Sequence, residues 1–296
     1  MNRRDFLKTG VMGVIGAGIL GKSAQAAEKV LAGVPDLVAV HGGEPEAMWN
    51  AGITALGGME RFVKPGAKVV VKPNIGWTQP PERAANTNPE LVAAIVKAAL
   101  KAGAREVVVF DHTCDNAAMC YKTSGIAEAA AAAGARVVMA DKEGDYVEVE
   151  IPNGQVLKKA KCFKEIIDCD VLINVPILKH HGGAKMTAAM KNLMGTIWDR
   201  GAMHKGGLTQ TIPDWVSYRK PDLNVIDAYR MLMAGGPRGG NMRDVAIGKF
   251  LLLSPDAVAA DAAAVKLLKF NERDVRYIAE ADRSEEHTSE LQSRSD

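Results

Sequence analysis

The chain has 296 residues, of which 37 are Lys or Arg and 35 are Asp or Glu, for a formal net charge of +2. This near-neutral balance offers no overall basis for binding nucleic acid or an anionic membrane, so any affinity for anions must come from a local cluster. The four cysteines form no C-x-x-C pair, which argues against a ferredoxin-type cluster or a thioredoxin motif and favours buried free thiols.

The two ends of the chain are expected to lie outside the folded domain. Residues 2–8 form a twin-arginine pattern, a weakly apolar run follows, and Ala24-Gln-Ala26 supplies a small-x-small cleavage signature. We therefore predict a signal peptide over residues 1–26, the twin-arginine translocase as a partner during export, and a periplasmic or other extracytoplasmic location. Residues 283–296 resemble the translation of a sequencing adapter, so we predict an artefact there and a native C-terminus that is lost beyond about residue 282.

We then expect residues 27–282 to form a single domain, because strand-like and helix-like segments alternate along them. Asn88 is an N-cap, followed by Pro89 at the first helical position, and Gly103 closes that helix. The pattern predicts an α/β fold with a mostly parallel sheet, right-handed crossovers and helices on both faces. Further helices are predicted at 124–133, 185–193 and 256–270, and strands at 67–72, 105–110, 136–139, 146–151, 170–175, 223–226 and 250–253.

Two segments that connect the predicted strands and helices allow more specific predictions. Turn residues at 152–154 make the 146–151 segment one arm of a hairpin at the edge of the sheet. The glycine-rich stretch 235–240 is a loop in which Arg238 is a candidate anion ligand.

Polar side chains gather where the predicted strands end. Because ligands of open α/β sheets bind outside the carboxyl ends of the strands, we expect these side chains to share one site. They are Lys72 and Asn74 after the first strand, Asp111 and His112 after the second, Lys179, His180 and His181 after 170–175, and Asp227 after 223–226.

The segment 179–192 is the strongest candidate for an anion site. Its glycine pair permits close approach of the backbone to a ligand, and a following helix would direct N–H groups and a positive dipole end at that ligand. The Walker A pattern is not matched. The anion-binding candidates in this segment are Lys179, Gly182, Gly183, Lys185, Thr187, Lys191 and Asn192.

Two kinds of chemistry remain open at this site. A divalent metal held by His112, His180 and Asp227 is one, although neighbouring histidines on a regular strand point in opposite directions. Acid–base catalysis by His180, Lys179 and Asp111 is the other. A lysine acting as a base or forming a Schiff base would require burial to lower its pKa, and Cys114 is a weaker, nucleophilic candidate.

The motifs together resemble the domain-of-unknown-function family numbered 362, over about residues 60–270. The matching residues are Val71-Lys-Pro-Asn74, Thr87-Asn-Pro89, Asp111, Ser124-Gly125, Asn174-x-Pro-x-Leu-Lys-His180, Lys191-Asn-Leu-Met-Gly195, Ile226-Asp-Ala228, Gly236-Pro237, Asp256 and Asp261-Ala262. The resemblance implies that the 174–195 segment is the functional centre. It also implies redox or metal-linked chemistry, since some members carry iron–sulfur domains, but the cysteines of this chain do not support such a cluster.

From these observations we expect an exported enzyme that binds a small anionic substrate or cofactor, with Lys179 and Lys191 holding the anion and His180 acting as acid, base or metal ligand. The alternative is a periplasmic binding or maturation partner, or an electron-transfer subunit, of an exported redox complex. A redox partner protein therefore remains open, whereas no nucleic-acid partner is expected.

Overall fold

The computed structural model describes residues 13–16 and 34–293, with side chains from residue 34 to residue 284. Within this part, ten strands form one sheet and two strands form a separate hairpin. The strands are β1 (Gly13–Gly16), β2 (Val38–His41), β3 (Lys68–Pro73), β4 (Glu106–Asp111), β5 (Arg136–Met139), β6 (Tyr146–Glu150), β7 (Lys159–Phe163), β8 (Val171–Val175), β9 (Ile177–His181), β10 (Lys185–Thr187), β11 (Leu223–Leu232) and β12 (Val245–Ser254).

The large sheet is mostly parallel, in the order β1-β2-β12-β11-β8-β3-β4-β5. Strands β11, β8, β3, β4 and β5 pair in parallel, and β12 runs antiparallel to both of its neighbours. Strand β9 pairs in parallel with β11 and antiparallel with β10. The carboxyl ends of β3, β4, β8 and β9 therefore open on the same edge of the sheet.

Helices cover both faces of this sheet, as the alternating pattern predicts. The helices are α1 (Pro45–Ala55), α2 (Pro89–Lys101), α3 (Ala117–Thr123), α4 (Ile126–Ala132), α5 (Lys164–Ile167), α6 (Ala189–Asn192), α7 (Arg200–Gly206), α8 (Leu208–Tyr218), α9 (Ala257–Leu267) and α10 (Arg276–Ser293). One buried cluster packs α1 to α4 against one face, and the other packs α6 and α8 to α10 against the opposite face.

The cap predicted for α2 is present, since the Asn88 side chain accepts a hydrogen bond from the Glu90 N–H at 2.9 Å. The helix predicted at 124–133 is present as α4, and α3 is a further helix that precedes it. Gly125 separates the two because it takes a left-handed conformation with φ of 70°. Nearby, β6 pairs with β7 in its own two-stranded sheet and not at the edge of the large one.

The helix predicted at 185–193 is wrong. After Pro176 the chain continues as β9, turns at residues 182–184 and returns as β10, so only residues 189–192 form a helical turn. The glycine pair thus forms a hairpin turn and does not precede a helix. Strand β11 is also longer than predicted and runs to Leu232, which places Asp227 in mid-strand.

The predicted termini are described only in part. Of the predicted signal peptide, the structure describes Gly13–Gly16, which lies parallel to β2, and the rest lies outside the described residues. Helix α10 continues to Ser293, through most of the predicted artefact. Within the described residues, no helix has both the length and the apolar character needed to span a membrane.

Candidate functional site

A cavity of about 450 Å³ lies at the carboxyl ends of β3, β4 and β9. The structure thus brings together predicted site residues that are distant in sequence. Those that line the cavity are Lys72, Asn74, Asp111, His112, Lys179, His181, Thr187, Lys191 and Asn192.

The remaining predicted residues do not line the cavity. Gly182, Gly183 and Lys185 are exposed on the β9–β10 turn. The Arg238 guanidinium lies 5.9 Å from the centroid of the Trp77 ring and pairs with Asp115 at 3.3 Å.

His180 and Asp227 do not line the cavity either, because their side chains form hydrogen bonds in other parts of the structure. His180 accepts the Gly236 N–H through Nδ1, and Asp227 is buried within β11, where it accepts the N–H groups of Asn88 and Tyr229. The predicted metal set of His112, His180 and Asp227 is therefore not assembled. Across residues 34–284, no group of three or more His, Cys, Asp or Glu side chains is arranged to hold a metal ion.

A buried ion pair joins β3 to β4 at the floor of the cavity. The Lys72 Nζ lies 2.8 Å from Asp111 Oδ1 and donates to the Asn192 carbonyl at 2.6 Å. The second carboxylate oxygen of Asp111 accepts the Ile75 N–H at 2.6 Å. Burial lowers the pKa of Lys72, and the charge of Asp111 opposes this change.

A chain of amide side chains fixes the orientation of Asn74. Asn174 donates to Asn224 and accepts from Asn192, and Asn192 in turn accepts from the Asn74 Nδ2, each at 2.9 Å. Because Nδ2 of Asn74 is used in this way, its Oδ1 faces Lys179, whose Nζ donates to it at 3.1 Å.

Lys179 is 1% exposed, and its Nζ also donates to the Ala85 carbonyl. Both acceptors are neutral oxygens. Burial lowers the pKa of Lys179 to about 7, and the nearby charge of Lys191 contributes to the lowering.

Lys191 is 8% exposed, and the hydrogen-bond partner of its ammonium among the described residues is the thioether of Met194, at 3.4 Å. Sulfur of this kind is a weak acceptor. Burial lowers the pKa of Lys191 to about 8. A buried cation with so poor a partner is well suited to bind an anion.

Helix α6, which carries Lys191 and Asn192, is anchored by α9, which packs beside it on the same face of the sheet. The carboxylate of Asp261 on α9 accepts the N–H groups of Ala189 and Met190. This contact gives a structural reason for the Asp261 motif seen in the sequence. Asp261 is buried, and burial raises its pKa to about 7.

The paired histidines point to opposite sides of β9, and it is His181, not His180, that lines the cavity. Its Nδ1 accepts the N–H groups of Gly183 and Ala184, each at 3.1 Å, so the proton of the neutral ring is on Nε2. Burial and the charge of Lys191 lower the pKa of His181 to about 3. His181 is therefore a neutral hydrogen-bond donor.

His112 has the opposite tautomer. Its Nδ1 lies 2.9 Å from the Ile197 carbonyl and must donate to it, which leaves the Nε2 lone pair free to accept a proton. The ring stacks on Trp198 at 5.0 Å. Burial and the charge of Arg200 lower the pKa of His112, so the neutral, basic form is present at neutral pH.

Arg200 is a cavity residue that the sequence did not reveal. It donates to the His112 and Thr113 carbonyls at 2.8 and 2.6 Å, and it lies 3.2 Å from the Cys114 Sγ. Other residues that line the cavity and were not among the predicted ligands are Gly76, Trp77, Cys114, Met194, Gly195, His204 and Pro237. The four cysteines of the chain are free thiols.

The charges in the cavity do not balance. Lys72, Lys179, Lys191 and Arg200 face the cavity, whereas Asp111 is the one carboxylate among the described residues that line it. Asp111 is already paired with Lys72. The surplus of cationic groups makes the cavity a site of positive potential.

Two solved structures are similar to part of this chain. The lactate racemase apoprotein from Thermoanaerobacterium thermosaccharolyticum matches with a TM-score of 0.46 and 11% identity, over 69% of this chain and 49% of that protein. A protein from Thermotoga maritima matches with a TM-score of 0.49 and 13% identity, over 77% of this chain and 60% of that protein. The chain thus spans only about half to three fifths of the length of these two proteins.

Sequence comparison gives a more direct relationship. A protein described as thylakoid-associated, from Synechocystis sp., is 28% identical over 242 residues, which cover 77% of this chain and 71% of that protein. The family model described as a domain of unknown function, DUF362, matches residues 69–266, a range that contains every residue lining the cavity. The chain therefore belongs to the DUF362 family.

Proposed function

We propose that this chain is an enzyme that binds a small anionic substrate or cofactor in the strand-end cavity and transfers protons there. The observation that carries the proposal is the surplus of buried cationic groups around a single, already paired carboxylate. Burying a charge is costly unless it is compensated. A bound anion would supply that compensation for the buried Lys191, with the half-buried Arg200 as a second cation beside it.

The acid–base part of the proposal rests on the two tautomers. His112 presents an unprotonated nitrogen and His181 an N–H donor, and both stay neutral at physiological pH because burial lowers their pKa values. A neutral base and a neutral donor in one cavity can remove a proton from a substrate and stabilise the oxygen on which charge develops. In this proposal, His112 and His181 take the acid–base role that the sequence analysis assigned to His180.

The anion site is tested by replacing Lys191 with methionine, which keeps most of the side-chain volume and removes the charge. Loss of a charge-assisted hydrogen bond costs about 2 kcal/mol, so we expect the affinity for propionate and for inorganic phosphate to fall about thirtyfold. Isothermal titration calorimetry on the wild type and the variant measures this difference.

The matched control is Lys185→Gln, two residues beyond the glycine pair, because Lys185 is exposed and lies outside the cavity. This variant should bind both anions as tightly as the wild type. If Lys191→Met also binds them at wild-type strength, or if the wild type binds neither, the cavity is not an anion site.

The affinity for propionate should depend on pH. Propionate stays ionised across the neutral range, whereas the ammonium of Lys191, with a pKa of about 8, loses its proton as the pH rises. Within this range binding is therefore strongest at the lower pH, and we expect it to weaken about tenfold between about pH 7 and about pH 9. Calorimetry across this range should give a shallower profile for Lys191→Met, and an unchanged wild-type affinity would contradict the proposal.

A further inference from the structure

Lys179 differs from the other two cavity lysines in its partners. Lys72 is paired with a carboxylate, and the hydrogen-bond partner of Lys191 within residues 34–284 is a thioether. Lys179 donates to two neutral carbonyl oxygens, those of Asn74 and Ala85. Neither acceptor carries a charge that would hold the nitrogen in its protonated form.

Two acceptors match the number of N–H bonds in a neutral amine. An amine that donates both hydrogens to Asn74 Oδ1 and the Ala85 carbonyl keeps its lone pair as the fourth position of the nitrogen. Because the amide chain through Asn192 and Asn174 fixes which end of Asn74 faces the lysine, this arrangement is built in. A pKa of about 7 agrees with it, since about half of the Lys179 side chains are neutral at neutral pH.

We propose that Lys179 forms an imine with the carbonyl group of a small 2-oxo acid whose carboxylate binds to Lys191 and Arg200. All three side chains line the same cavity. An unprotonated amine requires an electrophilic carbon, and the neighbouring cations require an anion. A carbonyl adjacent to a carboxylate is a compact group that supplies both. This inference rests on the anion site proposed above and names the class of its ligand.

The bonds and protons of this step balance. The Nζ lone pair forms a bond to the carbonyl carbon, and the C–O bond then breaks. The oxygen leaves as water, taking one N–H proton of Lys179 and one further proton from the ammonium of Lys191 or from solvent. The product is a protonated imine, whose remaining N–H can still donate to Asn74 or Ala85. Lys191 regains any lost proton from solvent, and no electrons are gained or lost.

Reductive trapping of the full chain tests the imine. The protein is incubated with pyruvate and then with sodium borohydride, which reduces an imine to a stable secondary amine, and its peptides are mapped by mass spectrometry. The expected adduct adds the mass of pyruvic acid less one oxygen atom to Lys179. Propionate, which has no carbonyl, should give no adduct, and acetone, which has no carboxylate, should label Lys179 less than pyruvate does.

The variant Lys179→Arg keeps a cation and should lose the adduct, with its fold checked by circular dichroism. Adduct formation on Lys72 or Lys191 in preference to Lys179 would overturn the inference. No adduct, together with calorimetric binding of pyruvate and propionate, would also overturn it while leaving the anion site in place. If neither pyruvate nor propionate binds and no adduct forms, both proposals fail. Because the peptide map of the wild type locates the adduct directly, the test does not depend on the variant.

Discussion

Replacing Asp111 with alanine is expected to lower the free energy of unfolding by about 3–5 kcal/mol, the cost of breaking a buried ion pair from one side. Lys72 and Asp111 are 1% and 3% exposed. Without the carboxylate, the Lys72 ammonium would stay buried with the Asn192 carbonyl as its remaining acceptor, and the Ile75 N–H would lose its acceptor as well. Urea denaturation followed by circular dichroism measures the change.

Two further variants show whether the ion pair is the cause. Glu150→Ala removes an exposed ion pair with Lys159 and should leave the denaturation midpoint unchanged, since exposed pairs contribute little. The double variant Lys72→Met, Asp111→Ala removes both charges and should be more stable than Asp111→Ala alone. A double variant no more stable than Asp111→Ala would mean that packing at Asp111, and not the unpaired lysine, accounts for the loss.

The site formed by Lys72 and Asp111 could be predicted because it depends on strand ends. Runs of valine before each residue identify β3 and β4, and parallel pairing of adjacent strands then places their carboxyl ends side by side. Asn74 and Lys179 line the same cavity, Asn74 from just after β3 and Lys179 from within β9. A buried strand that is rich in β-branched residues can be recognised from the local sequence alone, without knowledge of long-range contacts.

The β9–β10 hairpin could not be predicted in this way, because its pairing depends on contacts outside the segment. Strand β9 is fixed by β11, which is far away in sequence. The glycine pair and the lysines that follow it fit a helix start as well as a hairpin turn. The sequence analysis favoured His180, whereas the register of the hairpin places His181 on the side of β9 that lines the cavity.

Arg200 and Asn224 illustrate a second limit. Arg200 starts a short helix with no apolar periodicity, and it reaches the cavity only because residues 193–199 turn back over β4. Asn224 lies inside a buried strand, and a single polar residue in such a strand forms no sequence pattern that would mark it as part of a site. It matters because it is the far end of the amide chain that orients Asn74.

Replacing Gly195 with alanine is expected to destabilise the fold by about 3 kcal/mol, the upper end of the usual cost of overpacking a core. A Cβ at this position would lie 2.0 Å from Asp111 Oδ1 and 2.7 Å from Lys72 Nζ. Neither atom can move away freely, because Asp111 is also held by the Ile75 N–H and Lys72 by the Asn192 carbonyl. The added methyl group must therefore separate the ion pair or displace the backbone that carries it.

Gly182→Ala is the matched control, since a Cβ there would have no heavy atom within 4 Å. We expect this variant to unfold at the wild-type urea concentration and to bind propionate normally. Gly195→Ala should lose both stability and affinity for propionate, because the displaced Lys72 and Asn192 line the cavity that contains the anion site. If Gly195→Ala were as stable as the wild type, the ion pair would have to be more adjustable than its burial suggests. The large effect expected of Asp111→Ala would then be in doubt as well, because both expectations depend on the same rigid contact between β3, β4 and the segment around Gly195.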